Sequence, residues 1–186
     1  MQVILPDNQN EITLDLYKRF MSLDTNAKNY EDLVFSLFTG ISEEDAVNVP
    51  KKQKDEVLNH ILKALSTDGE FKNRFTIDGI EFGLIPNFDN ISGGEYNDLV
   101  EYSKDLDNSD LARLMAVLYR PIIKKDKFNN YSVEKYSGTE KYYTYMNKLP
   151  MSVVNGCLGF FLTLSNDLES HIQKCIREEQ VKEALL

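Results

Sequence analysis

The chain has 186 residues, of which 42% are hydrophobic and 27% charged, the balance of an ordinary globular protein and not of a disordered one. A chain this long buries roughly 70% of its unfolded surface on folding and needs no disulfide or metal staples. Its net charge of −9 argues against a general nucleic-acid binder, because an acidic field repels phosphate backbones. The longest apolar run, Cys157 to Leu164, is eight residues and far short of a membrane span. The opening MQVILPDNQNE has no basic region ahead of its apolar residues and is not read as a secretory signal.

In chain order, Met1 to Leu5 is a short strand candidate stopped by Pro6. Glu11 to Leu23 carries Ile12, Leu16, Phe20 and Leu23 at helical spacing, and Tyr30 to Phe38 is a second helix with Gly40 as its C-cap. Ser42 heads a short helix with acids in its first turn, where the helix dipole favours them. Pro50 ends that helix and Lys51 to Ser66 begins another. Phe75 to Phe82 holds two β-prone triplets around Asp78-Gly79, the two-residue turn that demands positive φ, and so predicts a hairpin.

Ser92 and Glu95 form a capping box for a helix reaching about Lys104. Ser109 or Asp110 caps an apolar helix over Leu111 to Tyr119, which Pro121 ends. Ile122 to Lys148 reads as an irregular connection with one helix near Thr139 to Met146. Pro150 and Ser152 open a last helix continuing past Arg177. The expected fold is mostly α with a small β-hairpin, an α+β domain over 1–186. Ile12-Thr13-x-x-x-Tyr17 and Ile91-Ser92-x-x-x-Tyr96 share a pattern, so the domain could hold two similar helical halves, 11–50 and 90–168, around a hairpin at 75–85, with 169–186 as a helical tail. Chance sharing of caps and spacing explains the same match.

Chemistry is sparse. Gly93-Gly94 lead into Glu95 and not into a lysine, so they make no phosphate loop, and there is no nucleophile elbow. Asp105 to Asp110 lacks the glycine and the bidentate glutamate of a calcium loop. His60 and His171 have no second ligand at metal spacing. Cys157 and Cys175 lie 18 residues apart, about 27 Å along one unbroken helix, so they could bond only if that helix breaks between them, and they are read as buried, reduced thiols. No catalytic, cofactor or metal residue is singled out, and no enzyme is expected.

The one anomaly is Tyr119 to Lys148, where seven basic residues face three acids, leaving the rest of the chain at −13. Six tyrosines are interleaved with these lysines. The candidate interface is Tyr119, Arg120, Lys124, Lys125, Lys127, Tyr131, Tyr136, Tyr142, Tyr143 and Tyr145. Basic residues with aromatics suit single-stranded nucleic acid, and tyrosine and arginine suit a protein interface. Tyrosines covering the core beside solvated lysines explain the composition equally. An interface with the acidic surface of a neighbouring copy fits the charge asymmetry, and reversing Lys124 and Lys125 should then weaken self-association. The terminal Glu169 to Leu186 is a second candidate surface.

Six segments carry a resemblance: Ile12-Thr13-Leu14 with Tyr17, Phe82 to Asn87, Ile91 to Tyr96, Met115 to Ile122, Tyr136 to Lys141 and Leu149 to Val154. Together they resemble a family of small proteins of tailed bacteriophages, including crAss-like phages of gut bacteria. The resemblance spans Glu11 to about Leu168, is most specific at Met115 to Ile122, and departs at Gly93-Gly94, where a bulkier residue is expected before the glycine. It implies a non-enzymatic virion protein, a structural subunit or packaged cargo of capsid, neck or tail. Such a protein is made in the host bacterial cytoplasm and partners other phage structural proteins and copies of itself, with no membrane. A tail-assembly chaperone that leaves the particle, or a host-directed inhibitor, is the alternative.

Overall fold

The structure, a computed structural model, describes residues 4–88, 91–104 and 111–161. Four helices come first: α1 (Leu14–Met21), α2 (Tyr30–Thr39), α3 (Glu43–Ala46) and α4 (Lys51–Leu65). A hairpin follows, β1 (Arg74–Ile77) and β2 (Ile80–Leu84), then α5 (Gly93–Tyr102) and α6 (Leu111–Leu118). The chain then returns to the sheet as β3 (Tyr119–Lys125) and β4 (Tyr131–Val133). The last described elements are α7 (Glu140–Met146) and a helix over residues 151–161, here α8. This is the mixed α and β fold the sequence implies.

Several local signals act as expected. Asp78 and Gly79 take φ of 49° and 79°, the left-handed pair that closes a two-residue hairpin, with Ile77 opposite Ile80. Gly40 caps α2 at φ 71°. Ser42 Oγ accepts from the Asp45 amide at the start of α3. Both halves of the capping box form at α5: the Ser92 amide donates to Glu95 Oε2 at 2.7 Å, and the Glu95 amide donates to Ser92 Oγ at 3.3 Å.

Three expectations need correction. First, the stretch after Pro121 is not irregular. The sheet has four antiparallel strands in the order β1-β2-β3-β4. α6 ends at Leu118, ahead of Pro121, and Pro121 itself sits in a strand. The β2–β3 ladder runs only from Leu84–Tyr119 to Phe82–Pro121, and β3 pairs with β4 from Ile122 onward. Pro121 stands where the partner changes, and its carbonyl still accepts from the Glu134 amide at 2.9 Å. Second, Ile4 and Leu5 form no strand, and Ile4 is 87% exposed; residues 1–3 lie outside the described residues.

Third, α1 starts at Leu14 and not at Glu11. Thr13 is spent as its N-cap, accepting from the Leu16 amide at 3.2 Å. Ile12 instead joins the chain's C-terminal part: its carbonyl accepts from the Met151 amide, while the Leu14 amide donates to Leu149. Thr13 and Ser92, the matched positions of the two helical halves, both cap helices. Downstream, α2 ends at a left-handed glycine, whereas α6 passes directly into a strand.

The core lies between the sheet and the helices. Phe82, Tyr119, Met115, Met146, Leu149 and Val154 are fully buried, each such side chain contributing about 1.5–3 kcal/mol. Phe82 packs edge-on against Tyr142 of α7 at 5.5 Å between ring centres. The expected helix over Leu111 to Tyr119 ends one residue early because Tyr119 opens β3. Its proposed caps Ser109 and Asp110, the Asp105–Asp110 turn, His171, Cys175 and the Glu169–Leu186 tail lie outside the described residues.

Candidate interaction surface

The ten residues singled out on the Tyr/Lys stretch divide into interior struts and a protruding tip. Tyr119, Arg120 and Tyr142 are buried, so they offer no surface, which corrects their reading as interface residues. Tyr119 donates its hydroxyl to the Lys72 carbonyl at 2.8 Å, and burial pushes that hydroxyl's pKa far up. Arg120 Nη2 lies 2.7 Å from Glu95 Oε1. Tyr136 lays its half-buried ring 5.8 Å from that guanidinium and donates its hydroxyl to Asp98, tying β4's trailing segment to α5.

Tyr142 donates its hydroxyl to Glu134, whose other oxygen holds Lys141 at 2.7 Å. The Lys141 and Tyr142 hydrogen bonds hold the Glu134 carboxyl below the ordinary range. Tyr143 accepts from Lys18 Nζ at 2.9 Å, which lowers its pKa, and Tyr145 packs against Phe82. Tyr131 covers Gly83 from the neighbouring strands. A Cβ at Gly83 would stand 2.5 Å from its ring, and its hydroxyl donates to the Leu84 carbonyl at 2.9 Å. The tyrosines that could stack bases are therefore largely spent on internal packing.

The remaining three, Lys124, Lys125 and Lys127, stand exposed on the β3–β4 hairpin. Lys125 pairs across the sheet with Glu81 of β2. Two residues that the sequence did not single out complete the tip. Ile123 is 65% exposed and Phe128 74%, which puts two large apolar side chains in solvent on the same hairpin. Ile123 owes its position to a β-bulge: Ile122 faces Val133 and Lys124 faces Ser132, so Ile123 is the extra residue in the ladder.

Phe128 is held out by a turn that Asp126 ties together. Asp126 Oδ1 accepts from the Phe128 amide at 2.8 Å and the Asn130 amide at 2.9 Å, and Oδ2 accepts from Asn130 Nδ2 at 2.7 Å. The Asn130 side chain, then the two amides, hold the Asp126 carboxyl below the ordinary range. Asn129 takes a positive φ of 66°, which asparagine accepts more readily than most residues. Lys127 Nζ rests 5.0 Å from the Phe128 ring. The tip is an ordered basic loop with an aromatic at its end.

Elsewhere, Phe88, Leu99, Val100, Leu114, Leu158 and Phe161 line an apolar groove of about 490 Å³ between α5, α6 and α8. Among the described residues, no three His, Cys, Asp or Glu side chains gather as a metal site would need, and no helix is long and apolar enough to cross a membrane. No protein-family model, curated protein or solved structure matches the chain.

Proposed function

We propose that this chain is a non-enzymatic virion protein of a tailed bacteriophage, a structural subunit or packaged cargo, that works through protein–protein contacts made by its β3–β4 hairpin. The carrying observation is the hairpin tip, where Ile123 and Phe128 stand exposed beside Lys124 and Lys127 on a turn fixed by Asp126. Aromatic side chains on ordered loops are favoured anchors, because little conformational entropy remains to be lost on binding. The phage assignment rests on the resemblance of six segments to small tailed-phage proteins. Single-stranded nucleic acid is the weaker reading, since the tyrosines that would stack bases are buried or packed internally.

The test is incorporation. In cells making phage particles, wild-type chain and Phe128→Asp are supplied in turn, and gradient-purified particles are quantified for each. Wild type enters the particles, and Phe128→Asp is recovered about tenfold less or worse, the loss expected of an interface anchor. Equal recovery overturns the hairpin as the contact. Wild type that accumulates in cells but never enters particles favours a tail-assembly chaperone or a host-directed inhibitor.

A further inference from the structure

Phe128 stands at one end of the charge asymmetry; the other end is a cleft on the opposite type of surface. Phe20 of α1, Val34 of α2, and Leu58 and Leu62 of α4 line a depression of about 470 Å³, with Glu31 and Asp55 at its rim. Leu62 is 58% exposed there, although it is a large aliphatic residue. Both rim carboxylates reach Lys51, at 2.6 and 3.0 Å, so one lysine answers two acids. Residues 30–62 hold seven acids against three lysines, net −4, while residues 120–135 hold five basic residues against two acids, net +3.

We propose that a second copy of this chain is the hairpin's partner, seating its Phe128 in the α1–α2–α4 cleft with Lys124 and Lys127 against the acidic rim. This rests on the reading of the hairpin as a contact surface, and not on the phage assignment. An aromatic side chain enters an apolar depression, a basic collar meets an acidic rim, and the donor loop is already ordered. The two surfaces are different, so the contact is heterologous: it propagates head to tail and closes as a ring or continues as a filament. The apolar part supplies affinity, and the exposed charges make association sensitive to salt.

Sedimentation velocity on the whole chain tests this with two single-face variants, Phe128→Asp on the hairpin and Leu62→Asp in the cleft. Both sites are exposed, and a thermal melt by circular dichroism checks that each variant folds. Should either melt abnormally, the milder Phe128→Ser and Leu62→Gln replace them, each again disabling one face only. Wild type is expected to grow with concentration, with an apparent dissociation constant at least about tenfold weaker in 1 M salt than in 0.1 M. Each variant alone is expected to stay monomeric. Their equal mixture is expected to form dimers and nothing larger, because one intact hairpin meets one intact cleft and both other faces are blocked.

Wild type that sediments as a monomer at every concentration overturns the proposal. So does a mixture that stays monomeric although wild type associates, because that behaviour belongs to a self-complementary contact or to other surfaces. The incorporation assay separates the two claims. A monomeric wild type whose Phe128→Asp variant still fails to enter particles removes self-pairing and leaves the hairpin contact in place.

Discussion

Arg120 of β3 and Glu95 of α5 meet inside the protein, Nη2 to Oε1 at 2.7 Å, with side chains 9% and 7% exposed. Glu95 serves two partners at once, since its other oxygen caps the Ser92 amide. The pair therefore fixes where α5 begins and where it lies against the sheet. Glu95→Ala would leave the guanidinium buried with only the more distant Glu134 carboxylate as counter-charge, beside an Nε that already lacks a hydrogen-bond partner. The expected cost is about 3–5 kcal/mol, a fall in melting temperature of roughly 6–20 °C for a chain this size. A melt within the error of wild type would show that the pair contributes nothing.

Gly69 and Gly156 allow two backbones to touch. A Cβ on Gly156 would lie 2.3 Å from the Glu70 carbonyl carbon, and one on Gly69 would lie 2.4 Å from the Gly156 nitrogen. Neither neighbour is a flexible side-chain tip, so α8 must move off the loop. Gly156→Ala is expected to destabilise by about 1–3 kcal/mol. Gly159, three residues along the same helix, has open space at its Cβ position. There Gly159→Ala should stabilise by about 0.5–1 kcal/mol, because alanine loses less backbone freedom on folding. Chemical denaturation of both variants checks the contrast, and equal effects would contradict the close approach.

The Asp126 turn should loosen in acid. Its carboxyl titrates below the ordinary value in the folded chain, because the charged form accepts from the Asn130 side chain and from the Phe128 and Asn130 amides. The clamp is therefore complete above the ordinary carboxylate range and is lost as pH falls through the lower, folded value. Amide exchange at Phe128 and Asn130, corrected for intrinsic rates, should accelerate on that descent. Asp126→Ala should show fast exchange at every pH, and slow exchange in that variant would contradict the role given to Asp126.

Cys157 should be inert. It is fully buried, and burial pushes its thiol pKa up to about 11. At pH 8 the native thiol holds almost no reactive thiolate and no reagent can reach it. Peptide mapping after alkylation should find Cys157 modified in denaturant and unmodified in the native chain. Rapid native modification would contradict its burial.

Signals that act within a few residues were legible in the sequence: the Asp78-Gly79 turn, the Ser92–Glu95 box and the Gly40 cap each form where their chemistry asks. Strands β3 and β4 were not, because Pro121 reads locally as a helix stop, and the strand forms only where β2 pairs with Tyr119 to Pro121 and β4 pairs with Ile122 onward. The same holds for the interface residues. Tyr119, Arg120 and Tyr142 look like surface anchors in composition, yet Lys72, Glu95 and Glu134 claim their polar ends from inside. Phe128 carried a faint signal, an aromatic within Lys127-Phe128-Asn129-Asn130, where a turn usually places polar residues. Its exposure depends on the Asp126 turn, as that of Ile123 depends on the bulge, and both appear only once the two strands pair.

Quantitative peptide mass spectrometry of gradient-purified phage particles tests the central claim most directly, with this chain measured against the major capsid protein. A virion protein working through protein contacts is expected in the particles at a fixed ratio to that protein, unchanged by further purification. Abundance in infected cells combined with absence from the particles would contradict the virion role.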